Sequence, residues 1–340
     1  MKAAVFKGKG SLAVEEVPTP TVGPGQVLVK VKYCAICGSD VHRGFIFGMM
    51  TPGTVMGHEY CGTIAQVGEG VTQWKVGDRV VGGGGTPAPG AFPRLSATAR
   101  YSARQLGFMA SGTMGGFAEY VLIDAWRPLP IPTGVSDEAA ALAEPCTVAV
   151  HAVRLSQIKL GDSVAVIGAG PIGLFVLQCA RAAGATRVYV SEPAPARVRA
   201  ALELGADQVL DPTQVNVVEE MLKLTEGLGP DLVFECAGAP STLQQALEMV
   251  RRSGRVIMVS LAWEETPTLP VEWVGREVEL KCSYGATPQE WRTSLELMRQ
   301  GKVRVEPMIG PNDYVSLANI QQAFEALVRP SDHIQIMVQC

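Results

Sequence analysis

The sequence predicts an α/β protein that joins a doubly wound parallel sheet to an irregular, mostly β domain. Between residues 150 and 286, apolar runs alternate with helical patterns, which is typical of a parallel sheet with helices on both faces. A glycine-rich turn at residues 168–173 follows the first of these runs. The chain before residue 150 is rich in Gly and Pro and carries short β-branched runs, as expected for short strands and turns.

Composition favours a globular protein whose partners are small molecules. A chain of 340 residues with 47% apolar content is long enough for two domains. The net charge of −4 provides no basic field for nucleic acid or for a membrane surface. We find no signal-peptide pattern and no apolar run that could span a bilayer, so we expect a cytoplasmic location. The eight cysteines are scattered, which predicts reduced, mostly buried thiols.

The first domain is predicted from β-branched runs at residues 26–31 and 77–81. The second is predicted from six strand-like runs, which is the number of strands in a doubly wound sheet. These runs lie at residues 163–167, 187–190, 208–210, 232–235, 255–259 and 278–282.

The tail predicts two helices, near residues 288–299 and 316–328, and a last strand around residues 334–338. We expect this tail to rejoin the first domain. The predicted division therefore gives residues 1–149 and 287–340 to the first domain and residues 150–286 to the second.

The turn at residues 168–173 reads Gly-Ala-Gly-Pro-Ile-Gly and leads from a predicted strand into a predicted helix. Two of its glycines permit a tight turn and a close approach of a pyrophosphate, and the third lets helix and strand pack together. The alternative is a helix cap that binds nothing. The residues expected to contact the dinucleotide are Gly168, Gly170, Pro171, Ile172, Gly173, Glu192 and Arg197.

The choice of dinucleotide is predicted from Glu192, which closes the next strand 19 residues after Gly173. A carboxylate there binds both ribose hydroxyls and repels a 2′-phosphate, so NAD is favoured over NADP. Arg197 and Arg199 follow a few residues on and leave NADP open.

A metal site is indicated by residues 37–42, Cys-Gly-Ser-Asp-Val-His, followed by Gly57-His58-Glu59. Catalytic zinc takes about three protein ligands from Cys, His and carboxylate and keeps one position open. Cys37, His58 and one acidic residue meet that requirement.

These motifs together resemble the zinc-dependent medium-chain alcohol dehydrogenases over the whole chain. The segments at residues 57–59, 77–80 and 116–120 are similar to stretches of that family. Residues 37–42 and 144–151 are most similar to its sorbitol and butanediol dehydrogenase branch, with threonine dehydrogenases as near neighbours. The resemblance implies a GroES-like catalytic domain beside a Rossmann domain, and NAD-linked oxidation of a secondary alcohol or diol to the ketone.

The resemblance also implies roles for single residues. Cys37 and His58 would be zinc ligands, Glu144 would occupy the third-ligand position, and Glu59 would be a fourth or alternating ligand. Asp40 would orient an imidazole.

A proton path is implied as well. Ser39 would take the hydroxyl proton and pass it through the cofactor ribose to His42. The residues expected to act in catalysis are Ser39, His42 and Glu59.

The chain departs from many members of the family between Gly82 and Gly115, where no cysteine is present to hold a structural zinc. We therefore expect one zinc ion per subunit. The same stretch carries Arg94, Arg100 and Arg104. It is either a surface or subunit-contact loop, or it brings an arginine over the cleft to hold an anionic substrate group.

Other interpretations stay open at this point. Cys34 and Cys37 could form a redox pair, and Cys146 could compete for the metal. The chain could also be a zinc-independent quinone or enone reductase, or a non-catalytic nucleotide-binding protein. The resemblance implies a homo-oligomer, either a dimer or a homotetramer.

Overall fold

A computed structural model describes residues 1–83, 115–328 and 332–340. The chain divides into two compact units, one formed by Met1–Glu144 with Ile309–Cys340 and the other by Pro145–Met308. None of the helices in the described part of the chain is long and apolar enough to cross a membrane.

The first unit is built mainly of strands. They are β1 (Lys2–Gly8), β2 (Ser11–Glu16), β3 (Gln26–Ala35), β4 (Glu59–Val67), β5 (Arg79–Val81), β6 (Tyr120–Asp124), β7 (Leu129–Pro130), β14 (Tyr314–Ser316) and β15 (Met337–Gln339). A sheet runs in the order β14-β15-β3-β4-β5-β7, with β6 also on β3, while β1 and β2 form a hairpin. The apolar faces enclose a core that includes Phe6, Met56, Phe117 and Phe324, all fully buried.

Strand β3 brings the predicted metal-binding segments together. It pairs antiparallel with β4, and Ala35 lies opposite Glu59. Cys37, two residues beyond β3, therefore lies at the end of the sheet where β4 begins. A short π-helix, Asp40–Ile46, follows Cys37. On its other side β3 pairs with β15, where Val338 lies opposite Cys34.

The remaining helices of the first unit are short. Helix α1 spans Asp137–Ala141, and α9 spans Ile320–Leu327 after a 3₁₀ turn at Leu317–Asn319. Helix α2, Ala143–Ser156, leads from the first unit into the second.

The second unit is a parallel sheet in the order β10-β9-β8-β11-β12-β13, the strand order of a doubly wound fold. Its strands are β8 (Ser163–Ile167), β9 (Arg187–Ser191), β10 (Gln208–Leu210), β11 (Leu232–Glu235), β12 (Arg255–Met258) and β13 (Glu279–Cys282). Its helices are α3 (Pro171–Ala183), α4 (Pro195–Glu203), α5 (Val217–Leu224), α6 (Thr242–Met249), α7 (Pro270–Val274) and α8 (Pro288–Arg299). The predicted α/β fold class is confirmed.

The local sequence explains why helix α3 starts where it does. Gly170 is its N-cap and Pro171 its first residue; proline lacks an N–H and fits that position without loss. The helix ends at Gly184, whose φ of 110° suits a residue without a side chain.

The two boundaries between the units differ from those that the sequence predicts: the first follows Glu144 rather than residue 149, and the second follows Met308 rather than residue 286. Helix α8 belongs to the second unit because its polar side chains bond to α2. Ser294 Oγ lies 2.9 Å from Thr147 Oγ1, and both carboxylate oxygens of Glu290 lie 3.1 Å from His151 Nδ1. The apolar periodicity of α8 predicts a helix but does not indicate which unit it packs against.

Candidate active site

Three residues that could hold a metal ion lie together at the end of the β3–β4 pair. One ligand atom each from Cys37, His58 and Glu59 lies within 4.8 Å of the others. Glu59 is the first residue of β4 and is 2% exposed, whereas the side chain of His58 is 14% exposed. Sulfur, nitrogen and oxygen donors at this separation suit zinc.

Residues next to Cys37 pack closely around its sulfur. The hydroxyl and the backbone N–H of Ser39 lie 3.3 and 3.4 Å from the Cys37 Sγ. The carboxylate of Asp40, which is fully buried, lies 3.4 Å from the backbone N of Cys37 and 3.6 Å from Nδ1 of His58. The turn after β3 thus places a hydroxyl and a carboxylate beside the group of three.

In the absence of a bound cation, the electrostatics of this site favour the protonated forms of Cys37, His58 and Glu59. Burial raises the pKa of the Cys37 thiol to about 11, and the charge of Glu59 adds to this rise. Burial likewise raises the pKa of Glu59 to about 8, with a further contribution from the charge of Glu144. For His58, burial is the largest single influence and lowers the pKa, but the charges of Asp40 and Cys37 and the hydrogen bonding with them together outweigh burial and raise the pKa well above its usual value.

Buried polar atoms in the group lack partners. Glu59 Oε2, Asp40 Oδ1 and His58 Nδ1 are inaccessible to solvent and have no hydrogen-bond partner among the described residues. Native proteins rarely leave such atoms unsatisfied, and a bound cation would satisfy the Glu59 oxygen. The donor set and these atoms fit a divalent metal ion such as zinc.

Glu144, the expected third ligand, lies close to this group but is not one of its three members. It is half-buried in the first turn of α2. Burial raises its pKa, and the charge of His58 opposes that rise. Cys146 is fully buried, and its thiol interacts with that of Cys179.

His42, the predicted end of the proton path, is the third residue of the π-helix. Its Nδ1 lies 2.8 Å from the carbonyl oxygen of Gly38. Because a carbonyl only accepts hydrogen bonds, Nδ1 carries the hydrogen and a proton gained or lost by the ring is on Nε2.

The glycine-rich turn has the geometry that its sequence requires. Gly168 has a φ of +91°, and a Cβ there would lie 3.0 Å from the Cα of Ala237. A Cβ on Gly173 would overlap the carbonyl oxygen of Gly168. At Gly170 a Cβ would meet no protein atom within 4 Å. The first and third glycines are thus required by the protein itself, and the second borders open space.

Glu192 follows β9 and is 3% exposed. Its Oε2 accepts the Ala169 N–H at 2.7 Å and its Oε1 accepts the Ala194 N–H at 2.9 Å. Arg197 lies in the first turn of α4, and its buried Nε has no hydrogen-bond partner among the described residues. Glu192 is therefore in direct contact with the turn that starts α3, and Arg197 follows it five residues later in the chain.

Comparisons with known proteins agree with this arrangement. A family model described as "Alcohol dehydrogenase GroES-like domain" matches residues 23–133, and one described as "Zinc-binding dehydrogenase" matches residues 171–300. The (R,R)-butanediol dehydrogenase of Bacillus subtilis is 36% identical, with 100% of this chain and 99% of that protein covered. The chain belongs to the zinc-type medium-chain alcohol dehydrogenases. It is a zinc-dependent alcohol dehydrogenase linked to a nicotinamide dinucleotide.

Two solved structures and a second curated relative also match nearly the whole chain. The crystal structure of 2R,3R-butanediol dehydrogenase from Bacillus subtilis matches with a TM-score of 0.88 at 34% identity, covering 100% of this chain and 99% of that one. Sorbitol dehydrogenase of Halalkalibacterium halodurans is 31% identical over 99% of each chain. A proposed zinc-binding dehydrogenase from Sinorhizobium meliloti, solved with NADP bound, has a TM-score of 0.87 at 31% identity, and the match covers 100% of this chain and 99% of that one.

Arg94, Arg100 and Arg104, the three arginines that the sequence offers for an anionic substrate group, lie outside the described residues. Glu235 was missed in the sequence, although an acidic residue that ends an apolar strand is a visible signal. It is 1% exposed and accepts hydrogen bonds from two successive backbone N–H groups.

Proposed function

We propose that this alcohol dehydrogenase oxidises a secondary alcohol or diol to the ketone with NAD, using one zinc ion bound by Cys37, His58 and Glu59. The observation that carries the proposal is the mutual approach of these three side chains to within 4.8 Å. When bound, zinc supplies Lewis acidity that lowers the pKa of the substrate hydroxyl.

Glu144 is proposed to act beside the metal ligands and to be an alternative ligand. Its charge is felt at Glu59, whose pKa it helps to raise. Two carboxylates this close resist joint ionisation, so one of them would hold a proton whenever the metal is absent. Asp40 is proposed to fix the His58 ring through Nδ1.

Ser39 and His42 are proposed to carry the proton away from the substrate. The Ser39 hydroxyl lies beside the Cys37 sulfur, so it is close to any alcohol bound next to that ligand. His42 would exchange its proton at Nε2, since Nδ1 is held by the Gly38 carbonyl. Imidazole suits this step because its ordinary pKa is near neutrality.

NAD is proposed as the preferred cofactor because of Glu192. Its carboxylate lies at the carboxyl end of β9, beside the turn that would bind the pyrophosphate. A negative charge there disfavours a 2′-phosphate. Arg197 is proposed to lie near the ribose and to limit this preference, because its Nε is not paired within the described chain.

One zinc ion per subunit is proposed from the sequence between Gly82 and Gly115, which has no cysteine. Structural zinc sites of this kind need about four cysteine ligands. Elemental analysis of the purified protein would count the metal, and two ions per chain would contradict the proposal.

A homo-oligomer, either a dimer or a tetramer, is proposed through the edge of the second unit's sheet. Strand β13 ends that sheet and pairs only with β12 within the described chain. Next to it along the chain, Val271 and Val274 of α7 are 71% and 67% exposed. An open edge with apolar neighbours invites pairing with a second copy.

The proposed reaction is tested by turnover of the zinc-loaded protein. Secondary alcohols, vicinal diols, polyols, threonine and hydroxy acids would each be offered with NAD and with NADP, while absorbance of the reduced cofactor is followed. The names of the butanediol and sorbitol dehydrogenase relatives support the diol class. Turnover of diols with NAD at a higher kcat/KM than other classes is expected, and turnover confined to threonine or hydroxy acids would contradict it.

A further inference from the structure

Two buried glutamates stand on either side of the glycine-rich turn. Strand β8, which leads into that turn, has β9 and β11 as neighbours in the sheet. Glu192 directly follows β9 and Glu235 is the last residue of β11. They are 3% and 1% exposed. Buried carboxylates are costly unless they are fully hydrogen-bonded, so their partners indicate what they hold in place.

Glu235 organises the turn that follows its own strand. Its Oε1 accepts the backbone N–H groups of Ala237 at 2.9 Å and Gly238 at 2.8 Å, and the hydroxyl of Thr242 at 2.9 Å. Its Oε2 accepts the hydroxyl of Ser260, beyond the end of β12. Four donors thus fix the carboxylate, and through it the path of the chain between β11 and α6.

The turn held by Glu235 is in contact with the first glycine of the other turn. The Cα, Cβ and N atoms of Ala237 all lie 3.0 Å from the point where Gly168 would carry a Cβ. One residue earlier, the Cys236 N–H donates to the Ile167 carbonyl at 2.9 Å. Ala237 therefore limits where the backbone of Gly168 can lie.

Glu192 holds the same turn from the other side. It accepts the Ala169 N–H at 2.7 Å, while the Gly168 N–H donates to the Ser191 carbonyl at 2.8 Å. The backbone of Gly168 and Ala169 is thus bonded on the β9 side and packed against Ala237 on the β11 side.

We propose that Glu235 is a positioning residue for cofactor binding: it holds Ala237 against Gly168 and so fixes the turn that receives the dinucleotide pyrophosphate. Backbone N–H groups bind a pyrophosphate well only when they already point at it. Glu235 acts through Ala237, because the four donors that bond to its carboxylate all belong to the protein. This inference rests on the dinucleotide site proposed above.

The test compares Glu235→Ala with Glu290→Ala in the zinc-loaded protein. Glu290 is a matched control because it is also a buried glutamate of the second unit, 5% exposed, that accepts a backbone N–H, but at the start of α8. Glu235→Ala should raise the Kd for NADH, and for ADP, by about tenfold. Glu290→Ala should lower the unfolding temperature and leave both Kd values within about twofold of the unmodified protein.

Two readouts separate positioning from a general loss of stability. The KM for NAD should rise with the Kd, while kcat at saturating NAD stays within about twofold. Glu235→Gln should restore NADH binding to within about threefold, since its amide oxygen still accepts from Ala237 and its NH₂ can donate to Ser260.

The outcomes are distinguishable. NADH binding by Glu235→Ala that equals the unmodified protein would overturn the inference, as would an equal loss in Glu290→Ala. If Glu235→Ala does not fold, Thr242→Val removes one donor at similar volume and should weaken NADH binding by about threefold; unchanged binding in that variant would overturn the inference. Absence of NADH binding by the unmodified protein would instead contradict the proposed function.

Discussion

The Nδ1 atom of His58 lies 3.6 Å from Oδ1 of Asp40, and neither atom has a hydrogen-bond partner among the described residues. That distance is too long for a hydrogen bond. A metal ion on Nε2 of His58 would leave the Nδ1 hydrogen to donate to Asp40, which would orient the ring. The pair is therefore expected to complete its contact when zinc binds.

Replacing Asp40 should weaken metal binding without removing a ligand. Asp40→Asn is expected to lower zinc affinity by about 10- to 100-fold, as for other partners of metal-bound histidines. Competition with a coloured chelator would measure it. Asp78→Asn, in the same unit, is the control, because Asp78 pairs with Lys75 near the surface. Equal affinity of the two variants would contradict the role of Asp40.

Glu59 and Glu144 should differ in their effects on the metal. Because Glu59 lies in the group of three and Glu144 does not, Glu59→Gln is expected to lose most of its zinc, whereas Glu144→Gln keeps about one ion per chain. Both should lose activity. Mass spectrometry of the intact protein under native conditions would count the metal. Retention by Glu59→Gln and loss by Glu144→Gln would reverse the assignment.

The two halves of the metal site differ in how far the sequence could predict them. Cys37 and His58 lie in short motifs whose residue types and spacing indicate zinc by themselves. The choice between Glu59 and Glu144 depends on the pairing of β3 with β4 and on the start of α2, which are tertiary features. The resemblance implied Glu144 as the third ligand and Glu59 as a fourth or alternating ligand, and the group of three in the structure contains Glu59.

The strands of the second unit were predicted to within one residue because each is a short apolar run bounded by turn residues. The bounds of helix α8 were predicted just as accurately, but the unit to which the helix belongs was not. The unit to which α8 belongs is decided by the contacts of Ser294 and Glu290 with polar side chains of α2, and no local sequence pattern encodes these long-range contacts.

Gly170 and Gly173 should respond differently to the same substitution. Gly173→Ala forces a methyl group onto the Gly168 carbonyl oxygen and should both destabilise the protein and abolish NADH binding. The methyl group of Gly170→Ala would meet no protein atom within 4 Å, so the unfolding temperature of this variant should stay within about 2 °C of that of the unmodified protein. If the pyrophosphate passes there, NADH affinity should nevertheless fall by about tenfold or more. Unimpaired binding in Gly170→Ala would place the pyrophosphate elsewhere.

The ionised carboxylate of Asp137 should stabilise the folded protein at neutral pH but not at strongly acidic pH. Burial alone would raise its pKa, but hydrogen bonds from Lys32 and Arg79 outweigh burial and lower it below the usual 3.8. Because the pKa in the folded protein is below that of the unfolded chain, the stabilisation is present above about pH 4 and is lost as the pH falls.

Asp137→Asn is accordingly expected to cost about 1 kcal/mol at pH 7, with the difference from the unmodified protein shrinking below pH 4. Urea unfolding at several pH values would measure it. Asp124→Asn serves as the control, since Asp124 is exposed at the end of β6. A difference that stays constant down to pH 3 would show that the charge of Asp137 is not the cause.

Acidic substitutions on α7 should disrupt the proposed oligomer. The double variant Val271→Glu and Val274→Glu is expected to raise the dissociation constant of the oligomer by about 100-fold, which light scattering over a dilution series would detect. Leu160→Glu is the matched control, because Leu160 is 89% exposed in the same unit but not near β13 along the chain. An unchanged mass for the double variant would exclude this edge as the interface.

The pairing of β3 with β15 has a consequence for the order of events during synthesis. Ile36, next to Cys37, receives a hydrogen bond from the side chain of Gln335, which lies 299 positions later. A ribosome that adds about 5–20 residues per second reaches Gln335 roughly 15–60 s after Ile36. The second unit, Pro145–Met308, is one continuous stretch, so it does not need a segment that is synthesised much later. We expect the dinucleotide-binding unit to fold on the nascent chain, and zinc to be acquired only after Gln335 has been synthesised.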